Sequence, residues 1–196
     1  MSMRVVLASA SPRRRELLGL IGIAHEVMPA DVDESTRVGE LPAAYVERVA
    51  RDKAQTIAAR ARDALVIAAD TTVVLDGDIL GKPADAPDAR RMIARLAAKT
   101  HDVYTGIAVA HAGRMESAVE RVAVTFRALT AEEIDAYVAT REPLDKAGAY
   151  GIQGFGATIV ERVDGDYFSV MGLGLRRLVE LMQRVGVAYR FGDGLR

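Results

Sequence analysis

The chain has 196 residues, half of them apolar, and 26 Lys and Arg against 27 Asp and Glu, a formal net charge of −1. That length and apolar content suffice for one domain, residues 1–196, with a sizeable core. The near-neutral charge excludes a protein that coats nucleic acid, the absence of Cys excludes disulfides, thiolate catalysis and zinc–thiolate sites, and His25, His101 and His111 lack metal-ligand spacing.

A reducing cytoplasm is the expected location. Arg4 is followed by a short apolar run that breaks at Ser11-Pro12, so no signal peptide is expected. No apolar stretch nears the roughly 18 residues of a membrane span.

Arg4 to Ser9 reads as a buried first strand. Ser11 is placed to cap a helix that starts at Pro12, where the missing N–H costs nothing. Arg13, Arg14 and Arg15 crowd its first turn, opposing the helix dipole. Such a turn is either a solvated basic patch or an anion cradle of backbone N–H groups and guanidinium forks. Ala24 to Met28 reads as a second strand. The loop after it carries Asp31, Asp33 and Glu34, which are solvated or hold a hard divalent cation.

Leu41-Pro42 opens a helix to about Arg62, with an apolar stripe at Val46, Val49, Ala50, Ala54, Ile57 and Ala61. Lys53 falls inside that stripe, so its ammonium either snorkels outward or meets an anion. Ala64 to Ala69 is a continuous apolar run, the pattern of a strand covered on both faces. It is expected to end on Asp70, followed by the hydroxyls of Thr71 and Thr72. Val73 to Leu75 then meets Asp76-Gly77, a two-residue hairpin turn, and returns through Ile79 and Leu80 to Gly81-Lys82-Pro83. Asp70 and Lys82 are ordinary turn and surface groups unless other residues supply a common target.

Pro87 to about Ala98 forms a helix. Thr100 to Ala110 and Glu116 to Arg127 pair as an antiparallel hairpin about Gly113. Thr130 with Glu133 is a capping box for the next helix, which ends before Pro143. Four glycines between Gly148 and Gly156 rule out regular structure there and permit turns or close approach to a ligand. Gln153 stands among them, an amide able to donate and accept to one base edge. Ala157 to Val163 is a strand, a helix closes at about Val185, and the chain from Arg190 reads as a frayed tail.

Strands alternating with helices, then antiparallel hairpins, predict a mixed α/β sheet with helices outside. Cations for phosphates, carboxylates for a metal or a water, and a glycine-framed amide for a base point to a nucleotide phosphohydrolase. No G-x-x-x-x-G-K-S/T loop occurs, so it is not a P-loop enzyme.

Ser9-Ala10-Ser11-Pro12-Arg13-Arg14, the acidic loop through Glu34, Lys53, Ala69-Asp70-Thr71, Gly81-Lys82-Pro83, Lys146 to Gly154 and Val170-Met171-Gly172-Leu173 resemble the Maf family of nucleotide pyrophosphatases. The resemblance runs in order along nearly the whole chain. It implies an elongated, twisted mixed sheet flanked by helices, like that of inosine triphosphatases. It implies a homodimer, and hydrolysis of a nucleoside triphosphate to monophosphate and pyrophosphate with Mg2+ or Mn2+. Asp70-Thr71 and Gly151-Ile152-Gln153-Gly154 look like the branch that acts on dTTP and UTP, or modified pyrimidine nucleotides, in a house-cleaning role. By similarity Asp70 accepts the water's proton, with Glu34, Lys53 and Lys82 as the other catalytic positions. Arg13, Thr71 and Gln153 match positions of substrate choice, and Ser9 and Arg14 belong with them. Glu34 and Asp70 are the expected metal ligands. The rivals are a pyrophosphatase for modified purine nucleotides such as 7-methyl-GTP and a nucleotide-sensing regulator of cell division. Phe155, where a polar or basic residue is common, and Tyr167-Phe168-Ser169, in place of Tyr-Ser-Asn, depart from the pattern.

Overall fold

The computed structural model describes residues 3–192 together with Gly194 and Leu195. The elements in chain order are β1 (Val5–Leu7), α1 (Pro12–Leu20), β2 (Glu26–Val27), α2 (Pro42–Ala58), β3 (Leu65–Leu75), β4 (Asp78–Leu80), α3 (Ala86–Leu96), β5 (Thr100–His111), β6 (Arg114–Phe126), α4 (Ala131–Ala139), β7 (Val160–Asp164), α5 (Tyr167–Met171), α6 (Leu175–Arg184), β8 (Tyr189–Arg190) and β9 (Gly194–Leu195). Seven strands form one open mixed sheet, ordered β2-β1-β3-β5-β6-β7 with β4 paired to β3. β1 runs parallel to β2 and β3, while β4 and β7 lie antiparallel to their neighbours. The expected mixed α/β class is correct. No helix among the described residues is long and apolar enough to cross a membrane.

The chain forms two compact units. Unit 1 takes the chain through Asp70, Thr105–Glu120 and the chain from Gly172 on. Its core sets Ala50, Ala54 and Ile57 of α2 against Val6 and Ala8, Val66 and Ala68, and Ala108 and Ala110. The small residues let helix and strands approach closely. Closest is Gly106 in β5, where an added Cβ would stand 2.3 Å from the Val46 carbonyl oxygen of α2. That spacing leaves no room for any side chain at 106 without moving backbone.

Unit 2 comprises Thr71–Tyr104 and Arg121–Met171. α3 enters it with a full set of terminal signals: Asp85 accepts the Asp88 N–H at 2.8 Å, and Arg95 sits in the last turn. The expected capping box of α4 is present, Thr130 Oγ1 accepting from Glu133 N and Glu133 Oε2 from Thr130 N. Ala89, Ile93 and Leu96 of α3 pack with Val73, Leu75, Val103, Val124 and Phe126.

A polar group lies deep in that core. His101 is 3% exposed, with its ring edge-on to Phe126 and Tyr150 at centroid distances of 4.9 and 5.3 Å. Its Nε2 shares a hydrogen bond with the Tyr150 hydroxyl at 2.8 Å, and its Nδ1 has no partner among the described residues. Burial holds the imidazole down at about 4, against an ordinary 6.5, so it is neutral in the folded protein. The unfolded chain therefore binds a proton between those values that the folded chain refuses. The share of stability that depends on His101 is complete above pH 6.5 and falls by about 3 kcal/mol as the pH drops to 4. Thermal melts of the parental protein and His101→Gln over this range should converge in acid, because the variant lacks this loss. Parallel curves would remove His101 from the acid response.

The structure departs from the expected elements in several places: β2 spans only Glu26–Val27, and β7 begins at Val160 and not Ala157 because Gly154–Thr158 forms a 3-10 turn. β3 does not end at Asp70 but continues through Thr71 and Thr72 to Leu75. Two β-branched residues favour the extended backbone, and the carboxylate is paired from its flank rather than turned out to solvent. α2 stops at Ala58, although Ala59 to Arg62 are good helix formers, because Leu65 must reach β1, where its N–H meets the Arg4 carbonyl at 2.9 Å. Ser11 starts α1 without a side-chain cap bond; the Ser9 hydroxyl instead accepts the Ser11 N–H at 3.3 Å. The tail expected to fray from Arg190 pairs as the β8–β9 hairpin, anchored by the Tyr189 hydroxyl donating to the Ile21 carbonyl at 2.9 Å. Within that tail, Asp193 and Arg196 lie outside the described residues.

Candidate active site

The polar centre of unit 1 is Lys53. It sits on the apolar face of α2 between Val49 and Ile57 and is 7% exposed. It does not snorkel. Its Nζ donates to Asp70 Oδ1 at 2.9 Å and pairs with Glu34 Oε1 at 2.8 Å. Asp70 is likewise 7% exposed, whereas the Glu34 side chain is about half exposed. The stripe that buries α2 thus delivers one ammonium to two carboxylates, one from the middle of β3 and one from the acidic loop.

That loop is held by α2. The Tyr45 hydroxyl donates to the Glu34 carbonyl at 2.9 Å, and Arg48 Nη2 donates to the Ser35 carbonyl at 2.9 Å. Arg48 also forks onto Glu40 at 2.6 and 2.8 Å, which holds that carboxyl down at about 2. The Tyr45 phenol is pushed up to about 12, chiefly by burial and then by the charges of Asp70 and Glu34, so it remains a donor. Tyr45 was missed in the sequence. Its signal was its place in the run Tyr45, Val49, Lys53, Ile57, one residue per turn along the buried face.

The arginine turn divides in environment. Arg14 is buried, its Nε donating to the Gly172 carbonyl at 2.8 Å and its Nη1 to Ser9 Oγ at 2.9 Å. Burial lowers its pKa, while the fields of Asp70 and Glu34 oppose that change. Arg14 therefore joins the segment after β1, α1 and the segment at Gly172, with Ser9 Oγ as one of its acceptors. Arg13 is half-buried, and Arg15 is exposed.

The remaining expected residues belong to unit 2. Thr71 follows Asp70 in β3 and is half-buried; Lys82 follows β4 and is exposed. Gln153 is exposed in the turn that leads to a 3-10 segment at Gly154–Thr158. Lys82 and Gln153 make no side-chain hydrogen bond or ion pair among the described residues. Within unit 1 the structure therefore brings together Ser9 with Arg14, and Glu34 with Lys53 and Asp70.

Comparison with known proteins decides the family. Residues 4–185 match the family described as Maf-like protein. The chain belongs to the Maf family. A Maf relative from Moorella thermoacetica is 54% identical over 94% of this chain and 96% of its own, and one from Anaeromyxobacter is 53% identical over 95% and 91%. Both carry the name dTTP/UTP pyrophosphatase. The Ham1 protein of Staphylococcus aureus overlays on 92% of this chain and 90% of its own with a TM-score of 0.48 and 16% identity, a likeness too distant to bear on the Maf fold.

The donor set of this Maf chain fits one kind of metal site. Among the described residues no three His, Cys, Asp or Glu side chains cluster, which leaves no all-protein cage. Glu34 and Asp70 do converge on a single ammonium. Two carboxylates completed by substrate phosphate oxygens are the usual setting for Mg2+, and Mn2+ accepts the same hard oxygens.

Proposed function

We propose that this Maf chain, with residues 1–196 working as one domain, is a nucleoside triphosphate pyrophosphatase. It hydrolyses dTTP and UTP to the monophosphate and pyrophosphate. The observation that carries the proposal is the buried Lys53 ammonium holding Asp70 and Glu34 together. A buried carboxylate at mid-strand is costly unless it is paired or put to use.

Hydrolysis at an α-phosphate needs a positioned water, a proton acceptor and cations for the phosphate oxygens. Asp70 takes the water's proton. Lys53 fixes the orientation of that carboxylate and balances its charge. Glu34 and Asp70 would also hold a divalent cation, which when bound neutralises charge on the phosphate oxygens. Arg13, Arg14 and Lys82 supply further positive charge to the polyphosphate, with Ser9 beside Arg14 at the start of α1. Thr71 and Gln153 serve substrate choice, Gln153 by hydrogen bonds to the base edge. We further infer a cytoplasmic homodimer acting on free nucleotides, with neither nucleic acid nor membrane as partner.

The test is pyrophosphate release across a panel of dTTP, UTP, dCTP, CTP, GTP, 7-methyl-GTP and ATP, with and without Mg2+ or Mn2+. The proposal requires dTTP and UTP to lead and release to need the cation. A lead for purines would transfer the chain to the house-cleaning of modified purines. Replacing Gln153 by Glu should erode the preference for dTTP and UTP by about tenfold, the value of one hydrogen bond to the base, while leaving kcat on the poorer substrates within about twofold. An equal loss on every nucleotide would remove Gln153 from base reading.

A further inference from the structure

Gln153 is carried by a loop whose ends are fixed by one carboxylate and one phenol. Glu142 follows Arg141, which adopts the left-handed conformation (φ 67°), and opens a 3-10 turn, Glu142–Asp145. Its Oε2 accepts the Phe155 N–H at 2.9 Å, and its Oε1 accepts the Gly156 N–H at 2.9 Å and the Tyr137 hydroxyl at 2.8 Å. The Tyr137 oxygen in turn accepts the Gly151 N–H at 3.1 Å. Lys146 Nζ donates to the Glu142 carbonyl and to Asp145, both at 2.6 Å, which secures the turn that carries the carboxylate.

The glycines are there for this clamp. A Cβ at Gly156 would lie 1.9 Å from the Gly151 carbonyl oxygen, so the two ends of the loop touch. Gly154 has φ +65°, and a Cβ there would lie 2.4 Å from Glu142 Oε2. Between these ends stand Gln153 and Phe155, both exposed. Phe155 is 63% exposed, and its own N–H is one of the clamped donors.

We infer that Glu142 is a positioning residue for base recognition: its carboxylate, with Tyr137, holds the Gly151–Gly156 loop in the form that presents Gln153. This rests on the function proposed above, in which Gln153 reads the base. Glu142 itself touches no reacting atom. It acts by removing loop conformations in which the amide of Gln153 is misdirected, an entropy cost that nucleotide binding would otherwise carry.

The substitution Glu142→Gln keeps the shape and exchanges one acceptor oxygen for an NH2 group, which must face an N–H or O–H donor. Two readouts are combined. In hydrogen exchange of the protein without nucleotide, the Phe155 and Gly156 amides should exchange at least about tenfold faster in the variant, the rest of unit 2 staying as protected as before. In kinetics, KM for dTTP and UTP should rise about tenfold, kcat should stay within about twofold, and the poorer substrates should be unchanged, so discrimination between bases falls about tenfold. Tyr137→Phe, a milder change that releases Gly151, should show the same split at smaller size, and it replaces Glu142→Gln if that variant does not fold.

Unchanged exchange at Phe155 and Gly156 would overturn the inference. So would an equal loss on all nucleotides with a lowered melting temperature, the mark of a merely structural residue. The parental panel tests the function separately: a parental enzyme without preference for dTTP and UTP fails that reading. Glu142 is then judged by amide exchange and by whether its replacement flattens whatever base preference the parent has.

Discussion

Asp70→Asn is expected to lower kcat on dTTP and UTP by about 10³-fold while leaving the fold intact. The amide has the size of the carboxylate and keeps an oxygen toward Lys53 Nζ, 2.9 Å away. Lys53 also retains Glu34 at 2.8 Å, so no buried cation is stranded. The stability change should therefore stay near 1 kcal/mol, the scale of one weakened hydrogen bond. A proton acceptor, by contrast, cannot be replaced by an amide. Steady-state pyrophosphate release and a thermal melt on the same preparation separate the two effects. Turnover near the parental rate would mean that Asp70 serves the sheet and not the reaction.

Lys53→Met should cost both activity and stability. Met fits the apolar stripe of α2, where Val49 and Ile57 are fully buried, so packing is not the issue. The loss lies at Asp70, which is 7% exposed and would be left without its cation. Removing one partner of a buried pair costs about 3–5 kcal/mol, here toward the lower end because Glu34 is half exposed and can turn to water. Adding Asp70→Asn to Lys53→Met removes the stranded charge, so the double variant should melt higher than Lys53→Met alone while remaining inactive. A double variant no more stable than the single would mean that the pair is not coupled as the distances require.

Most of the fold could be read from local pattern. The apolar stripe of α2, the Asp76-Gly77 turn with both residues at positive φ, and the Thr130–Glu133 box each state their structure within a few residues. The failures share a physical cause, which is that a distant partner overrides a local signal. Asp70 looked like the end of a strand because a carboxylate seldom sits at mid-strand, and only Lys53, seventeen residues earlier, makes it tolerable there. Arg14, expected beside Arg13 as a substrate binder, gave no local sign that its Nε and Nη1 reach the Gly172 carbonyl, 158 residues away, and Ser9. The end of α2 was set by the pairing of Leu65 with β1, against the helix propensity of the residues between.

The site was legible to the same extent. Lys53 on an apolar face and three carboxylates in one loop announced an ion pair without saying which acid would form it. Glu34 forms it, while the Asp33 carboxylate accepts the Ser35 N–H at 2.9 Å within its own loop. Glu142 gave no signal, since a Glu before Pro in a polar turn is unremarkable. Its importance arises from backbone N–H groups of a loop that begins nine residues later, and backbone donors leave no trace in residue type.

The central claim is that the Lys53-bridged carboxylates serve hydrolysis between the α- and β-phosphates of a pyrimidine nucleoside triphosphate. The direct measurement is the identity of the products formed from dTTP and from UTP by the parental enzyme with Mg2+, separated by anion exchange and quantified together. Equimolar nucleoside monophosphate and pyrophosphate is the predicted result. Nucleoside diphosphate with inorganic phosphate, or no turnover of either pyrimidine, would contradict it.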